Sequence, residues 1–159
     1  MASYIARRKF LATLGGAAAT WPLAARAQQP ERVRQIGVLM GYAENNVEGQ
    51  AFVAAFREGL LKLGWAEDRN LRSDYRWAPP GDAEATRRFA KELVALQPNL
   101  ILGHNTAATA AALEQTHTIP IVFAIVADPV GSGFVTSFSR PGGNVTGFTT
   151  LEPRWPASG

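Results

Sequence analysis

The chain has 159 residues, 47% of them apolar, which sets the expectation of a single domain with an ordinary buried core. It holds no cysteine, which excludes disulfides, a thiolate nucleophile, cysteine-ligated zinc and a lipid-modified N-terminal cysteine. The net charge of +3 comes from the start of the chain, because residues 1–27 hold Arg7, Arg8, Lys9 and Arg26 and no acid; the remainder is slightly acidic, has no basic stripe and offers nothing to a nucleic acid.

Arg7-Arg8-Lys9 precede Phe10 to Ala25, a short, mildly apolar stretch rich in Ala and Gly and broken by Pro22. Ala25-Arg26-Ala27 places small residues where a signal peptidase reads them. Residues 1–27 are therefore read as an export signal, cleaved after Ala27, and the stretch is too short and too weakly apolar to span a membrane. The segment ARRKFLA resembles a twin-arginine signal, which implies a periplasmic destination. A general secretory signal with a chance arginine pair would lead to the same place.

Residues 28–34 are polar, contain Pro30 and read as a linker. Gln35 to Gly41 is a short apolar run ending in Gly, the pattern of a buried strand. Val47 to Leu63 places Phe52, Phe56, Leu60 and Leu63 at helical spacing, and Gly64 closes the helix. Asn70 to Trp77 reads as a strand ended by Pro79-Pro80-Gly81. Asp82 then caps a helix carrying Ala85, Phe89, Leu93 and Leu96 on one face, which Pro98 stops. Leu100 to Gly103 is a third strand, Thr106 to Gln115 a small-residue helix and Ile119 to Ala127 a fourth strand. Pro129 to Ser139 reads as a short helix and Asn144 to Phe148 as a final strand. Strands alternating with helices predict an α/β fold: a doubly wound parallel sheet, flavodoxin-like or Rossmann-like.

In such sheets ligands collect beyond the carboxyl ends of the strands. Three strand ends are polar and marked by turn residues: Gly41-Tyr42, Gly103-His-Asn-Thr106 and Ala127-Asp128-Pro129. The third helix begins directly after its strand, so its first amides lack internal partners and favour an anion such as a carboxylate or phosphate. Thr106 adds a hydroxyl, and Ala107 and Ala108 allow close approach. The alternative is that Asn105 or Thr106 simply caps the helix. Asp128 would accept a ligand amine, or would cap the turn that follows it. Tyr42 would stack on a ligand, or cover the strand edge. His104 and His117 have no carboxylate at ligand spacing, so no metal is expected. The chain shows no G-x-S-x-G, no phosphate-binding Walker loop and no G-x-G-x-x-G after the first strand, and no cofactor is expected.

Three stretches carry a resemblance: residues 36–78, the run ELVALQPNLIL, and IPIVFAIVADPVGSGFVTSFSRPGGNVTGFT. They resemble the periplasmic substrate-binding proteins of ABC transporters, in the tryptophan/tyrosine-type subfamily. The resemblance implies a type I periplasmic binding fold of two lobes, and a small solute, often an amino acid, trapped between them and passed to an ABC permease in the inner membrane. It implies ligand contacts at Gly41, Tyr42, Asn105, Thr106, Ala107, Ala127 and Asp128. The family often has Gly-Thr-Pro-Ala where this chain has Asn105-Thr106-Ala107-Ala108. Similarity fades near Thr150, so residues 35–150 are expected to be the first lobe, 151–159 a divergent tail, and the second lobe absent. The expected function is non-covalent solute capture, with no enzyme activity, in a truncated copy that binds weakly or not at all. The alternatives are a secreted α/β enzyme relying on Ser132 and His104, or a non-functional remnant.

Overall fold

The structure is a computed structural model that describes residues 32–137 and 139–149. The export signal and the divergent tail expected from the sequence lie outside the described residues.

Strand β1 (Arg34–Met40) opens the fold and helix α1 (Val47–Lys62) follows it. Then come β2 (Leu71–Trp77), α2 (Ala83–Ala95), β3 (Leu100–Asn105), α3 (Thr106–Gln115), β4 (Ile121–Ile125) and β5 (Val145–Gly147). All strand pairs are parallel, in the order β2-β1-β3-β4-β5. This is the flavodoxin-like doubly wound order, in which the chain reverses direction across the sheet between β1 and β3.

Local chemistry explains each helix boundary. The side-chain oxygens of Asn46, Asp82 and Asn105 accept hydrogen bonds from the amides of Gly49, Ala85 and Ala108 at 2.8, 2.9 and 2.9 Å, capping α1, α2 and α3. Gly64 ends α1 with φ +87°, a conformation that costs glycine little, and the amide of Trp65 returns to the carbonyl of Leu60 at 2.9 Å.

Alternation along β1 sorts the core onto two faces. Ile36, Val38 and Met40 pack with Val53, Phe56 and Leu60 of α1. Leu39 points the other way, into Ala90 and Leu93 of α2 and Ala108 and Ala111 of α3. On that second face Ile101, Ile121 and Phe123 pack with Ala112, Val126 and Val145. Gly103 admits α3 close to the sheet, since a Cβ there would lie 2.7 Å from Thr109 Oγ1 and 3.1 Å from its Cα. Helices therefore lie on both faces, as the strand pattern predicts.

Two expectations are corrected. The segment after Pro129 forms turns rather than a short helix: Ser132, Gly133 and Phe134 donate to the carbonyls of Asp128, Val130 and Pro129. Two glycines within four residues, Gly131 and Gly133, the latter at φ +73°, disfavour continued helix there. Leu63, placed on the buried face of the first helix by its spacing, is 77% exposed, because it is the C-cap and leaves the helical path.

Candidate functional site

Strand β3 runs two residues further than its apolar run, through His104 and Asn105, and α3 begins at the next residue. No loop separates strand from helix, so the amino end of α3 opens directly at the carboxyl edge of the sheet. Asn105 Oδ1 takes the Ala108 amide. The amides of Thr106 and Ala107 precede it in the first turn, where no intrahelical acceptor exists. Both residues are exposed.

The cap sets the Asn105 side chain. With Oδ1 on Ala108, Nδ2 faces Gly41 at the end of β1, so close that a Cβ on Gly41 would lie 2.7 Å from Asn105 Cγ and closer still to Nδ2. Gly41 and Asn105 therefore meet across the β1–β3 boundary, the reversal point of the sheet.

The two line a cleft of about 110 Å³, together with Ala107 and the loop after β2, including Pro79, Gly81 and Asp82. The amino ends of two helices border it, α2 at Asp82-Ala83 and α3 at Asn105-Ala107. Both dipoles place positive potential there. Among the described residues Asp82 contributes the one carboxylate of its lining, with Oδ1 engaged by the Ala85 amide. Sequence reasoning passed over this loop, reading Asp82 as a cap and Pro79-Pro80-Gly81 as a strand stop. The available signal was its position, since it leaves the carboxyl end of the strand paired to β1.

The other expected site residues divide. Tyr42 turns away from the cleft and packs against Phe52 and His104, with ring centroids 6.2 and 5.0 Å away. Desolvation, and then the neighbouring Glu48 carboxylate, hold its hydroxyl above the usual tyrosine pKa. Ala127 and Asp128 follow β4, the strand next to β3, so they stand at the same end of the sheet as Thr106. They are exposed and are not part of the cleft lining. Asp128 Oδ1 accepts from the Gly131 amide at 2.7 Å, so this carboxylate holds the turn that follows it.

His104 is 6% exposed, and among the described residues neither ring nitrogen has a hydrogen-bond partner. Its ring lies 5.0 Å from those of Tyr42 and Phe52. Burial pushes its pKa below the ordinary histidine value, against a smaller opposing pull from Glu48. No hydrogen bond joins it to Ser132, so the pair an enzyme reading would need is not assembled.

Residues 37–154 match the family described as ABC transporter substrate binding protein. A curated relative, the tyrosine-binding protein of Clostridioides difficile (strain R20291), is 35% identical over 92 residues, covering 58% of this chain and 26% of the relative. A substrate-binding protein with adhesive properties from Clostridium difficile, in its ligand-free open structure, superposes with a TM-score of 0.65 at 30% identity, covering 72% of this chain and 38% of that one. An ABC domain from Streptococcus pneumonia in complex with L-Trp gives 0.66 at 28% identity, over 74% and 38% of the two chains. A conserved domain protein from Vibrio cholerae gives 0.65 at 33% identity, over 77% and 40%. The chain thus spans well under half the length of the relatives it matches.

Proposed function

The chain belongs to the ABC transporter substrate binding protein family, and on that premise we propose that it contributes one wall of a cleft for a small solute, an amino acid. One observation carries the reading. Gly41, Asn105 and Ala107 form a cleft at the β1–β3 reversal point, bordered by two helix amino ends. Ligands of open α/β sheets gather at such a point. The amides of Thr106 and Ala107 suit a carboxylate, and Asn105 Nδ2 adds a donor beside them. Asp82, on the opposite side of the cleft, suits the ammonium group. It takes the role that the sequence assigned to Asp128, which does not line the cleft. Relatives named for tyrosine binding and solved with L-Trp support an amino acid as the solute class.

The capture is non-covalent: charge complementarity positions the solute, and no group activates a bond. A single wall leaves the solute wet on its other side, where charges attract weakly. Type I receptors gain affinity by hinge closure of two lobes, so the affinity of this wall alone is low. The leader of 1–27 directs the chain to the periplasm, with an inner-membrane permease as the partner of the complete receptor.

The test is a titration of the isotope-labelled full chain with L-tryptophan, L-tyrosine and their carboxamides, followed by amide NMR. Expected are millimolar shifts at Thr106, Ala107 and Gly41 with the acids, and much smaller ones with the carboxamides. Shifts confined to other regions, or equal shifts with both forms, would refute the assignment.

A further inference from the structure

The two helices that border the cleft start in the same way. Asp82 and Asn105 cap α2 and α3 with their side chains. Four residues on from each cap stands a threonine whose hydroxyl donates back to the cap's own carbonyl. Thr86 Oγ1 lies 2.7 Å from the Asp82 carbonyl oxygen, and Thr109 Oγ1 lies 2.8 Å from that of Asn105. Both threonines are buried, Thr109 completely. α1, which does not line the cleft, starts differently. Asn46 caps it, but the residue four further on is Gln50, whose side chain goes instead to the Glu44 carbonyl at 2.6 Å.

A threonine hydroxyl bonded to the carbonyl four residues back does little for helix stability and tends to bend the helix. Its repetition at the two helix starts on the cleft is explained by position. A peptide unit is planar, so the Asn105 carbonyl and the Thr106 N–H turn as one rigid body. Holding that carbonyl aims an N–H that suits a carboxylate. In the same way, holding the Asp82 carbonyl fixes the Ala83 N–H and the backbone that carries the Asp82 carboxylate. Thr109 is itself seated against the sheet, because a Cβ on Gly103 would lie 2.7 Å from its Oγ1. At 0% exposure it meets no solute and acts only through Asn105.

We propose that Thr109 and Thr86 are positioning residues of the cleft, one for each pole of the solute. Thr109 sets the amide that receives the carboxylate. Thr86 sets the carboxylate that receives the ammonium group. The assignment of poles rests on the amino-acid reading of the cleft, whereas the aiming of the two peptide units does not.

The test titrates the isotope-labelled full chain with three probes. These are L-tryptophan, L-tryptophanamide, which lacks the carboxylate, and indole-3-propionate, which lacks the ammonium group. Thr109→Val is expected to weaken the two acids about fivefold and to leave tryptophanamide within about twofold. Thr86→Val is expected to weaken the two amines by a similar factor and to leave indole-3-propionate unchanged. Thr109→Ser and Thr86→Ser keep the hydroxyl and restore the original pattern. A second readout needs no solute. In residual dipolar couplings of the free chain, the Thr106 N–H reorients in Thr109→Val and the Ala83 N–H in Thr86→Val. Neither moves in the serine variants, and the Glu48 N–H of α1 is steady throughout. Thr109→Ala or Thr86→Ala replaces a valine variant that does not fold. Unchanged couplings overturn the proposal. So does equal weakening of all three probes, which marks a merely structural role, or a failure of serine to restore the pattern. A chain that binds none of the probes refutes the amino-acid reading, and the couplings then decide on the two threonines by themselves.

Discussion

Gly41→Ala is the sharpest probe of the cleft. The three heavy atoms nearest a new Cβ all belong to the Asn105 side chain, with Cγ at 2.7 Å and Oδ1 at 3.2 Å. The methyl group and the capping rotamer of Asn105 cannot coexist. Gly41 is not among the glycines with positive φ, so alanine brings no backbone strain of its own. The cost is therefore the cap that Asn105 provides to Ala108, about 1 kcal/mol, plus about 0.5–1.5 kcal/mol for a displaced rotamer. A total of about 2 kcal/mol corresponds to a drop of roughly 1 M in the urea midpoint with an unchanged slope. The decisive assay is a double-mutant cycle. Asn105→Ala alone loses the cap, about 1 kcal/mol. In that background Gly41→Ala has nothing to strike and costs less than about 0.5 kcal/mol, leaving a coupling of at least about 1 kcal/mol. Equal costs for Gly41→Ala in the two backgrounds would show that the two residues do not share this space, and the cleft as described would fall.

Three further outcomes follow from the same structure. Because burial lowers the His104 pKa in the folded state, the unfolded chain takes up its proton first as pH falls. Stability is then full above about pH 6.5 and declines below it, by at most about 1.4 kcal/mol per pH unit until the folded-state pKa is reached, with Tyr42 and Glu48 the titratable groups facing the ring. His104→Leu flattens that slope in urea melts across pH 5–7.5, and an unchanged slope would refute the assignment. Leu93→Ala, at a 0% exposed position on the sheet-facing side of α2, lowers unfolding free energy by about 2–5 kcal/mol in the same melts, and a loss under about 1 kcal/mol would mean the site is less tightly packed than described. Asp128→Asn leaves the amino-acid NMR titration unchanged within about twofold, whereas Asp82→Asn weakens it by more; the reverse ranking would return the ammonium site to Asp128.

The relation between sequence and site is clearest at Asn105. Its alternative roles, cap or ligand contact, were both visible in the chain, and the structure shows the cap while leaving Nδ2 directed at Gly41. Asp128 likewise had two readings, and its Oδ1 takes the Gly131 amide within the turn that follows it. Tyr42 was read as stacking on a ligand or covering the strand edge, and it covers His104 and Phe52. The bonds at Asn105 and Asp128 are made within three residues, and of these three side chains Tyr42 is the one packed on partners distant in the chain.

The sequence by itself determined the parallel sheet, the three helix starts and the element order as far as β4, but not the turns that stand where it suggested a helix before β5. Those follow from interactions within a few residues: apolar runs, Asn and Asp caps, and glycine stops act locally. It also marked the carboxyl ends of the strands as the place for a ligand. Only the tertiary structure joined the loop after β2 to Gly41 and Asn105, turned Tyr42 away from them, and buried His104 beside the half-buried Leu102 and Val122. These depend on which strands lie side by side and which helix covers which face. Such long-range contacts are set by burying surface across the whole sheet, and no short window of the chain contains both partners.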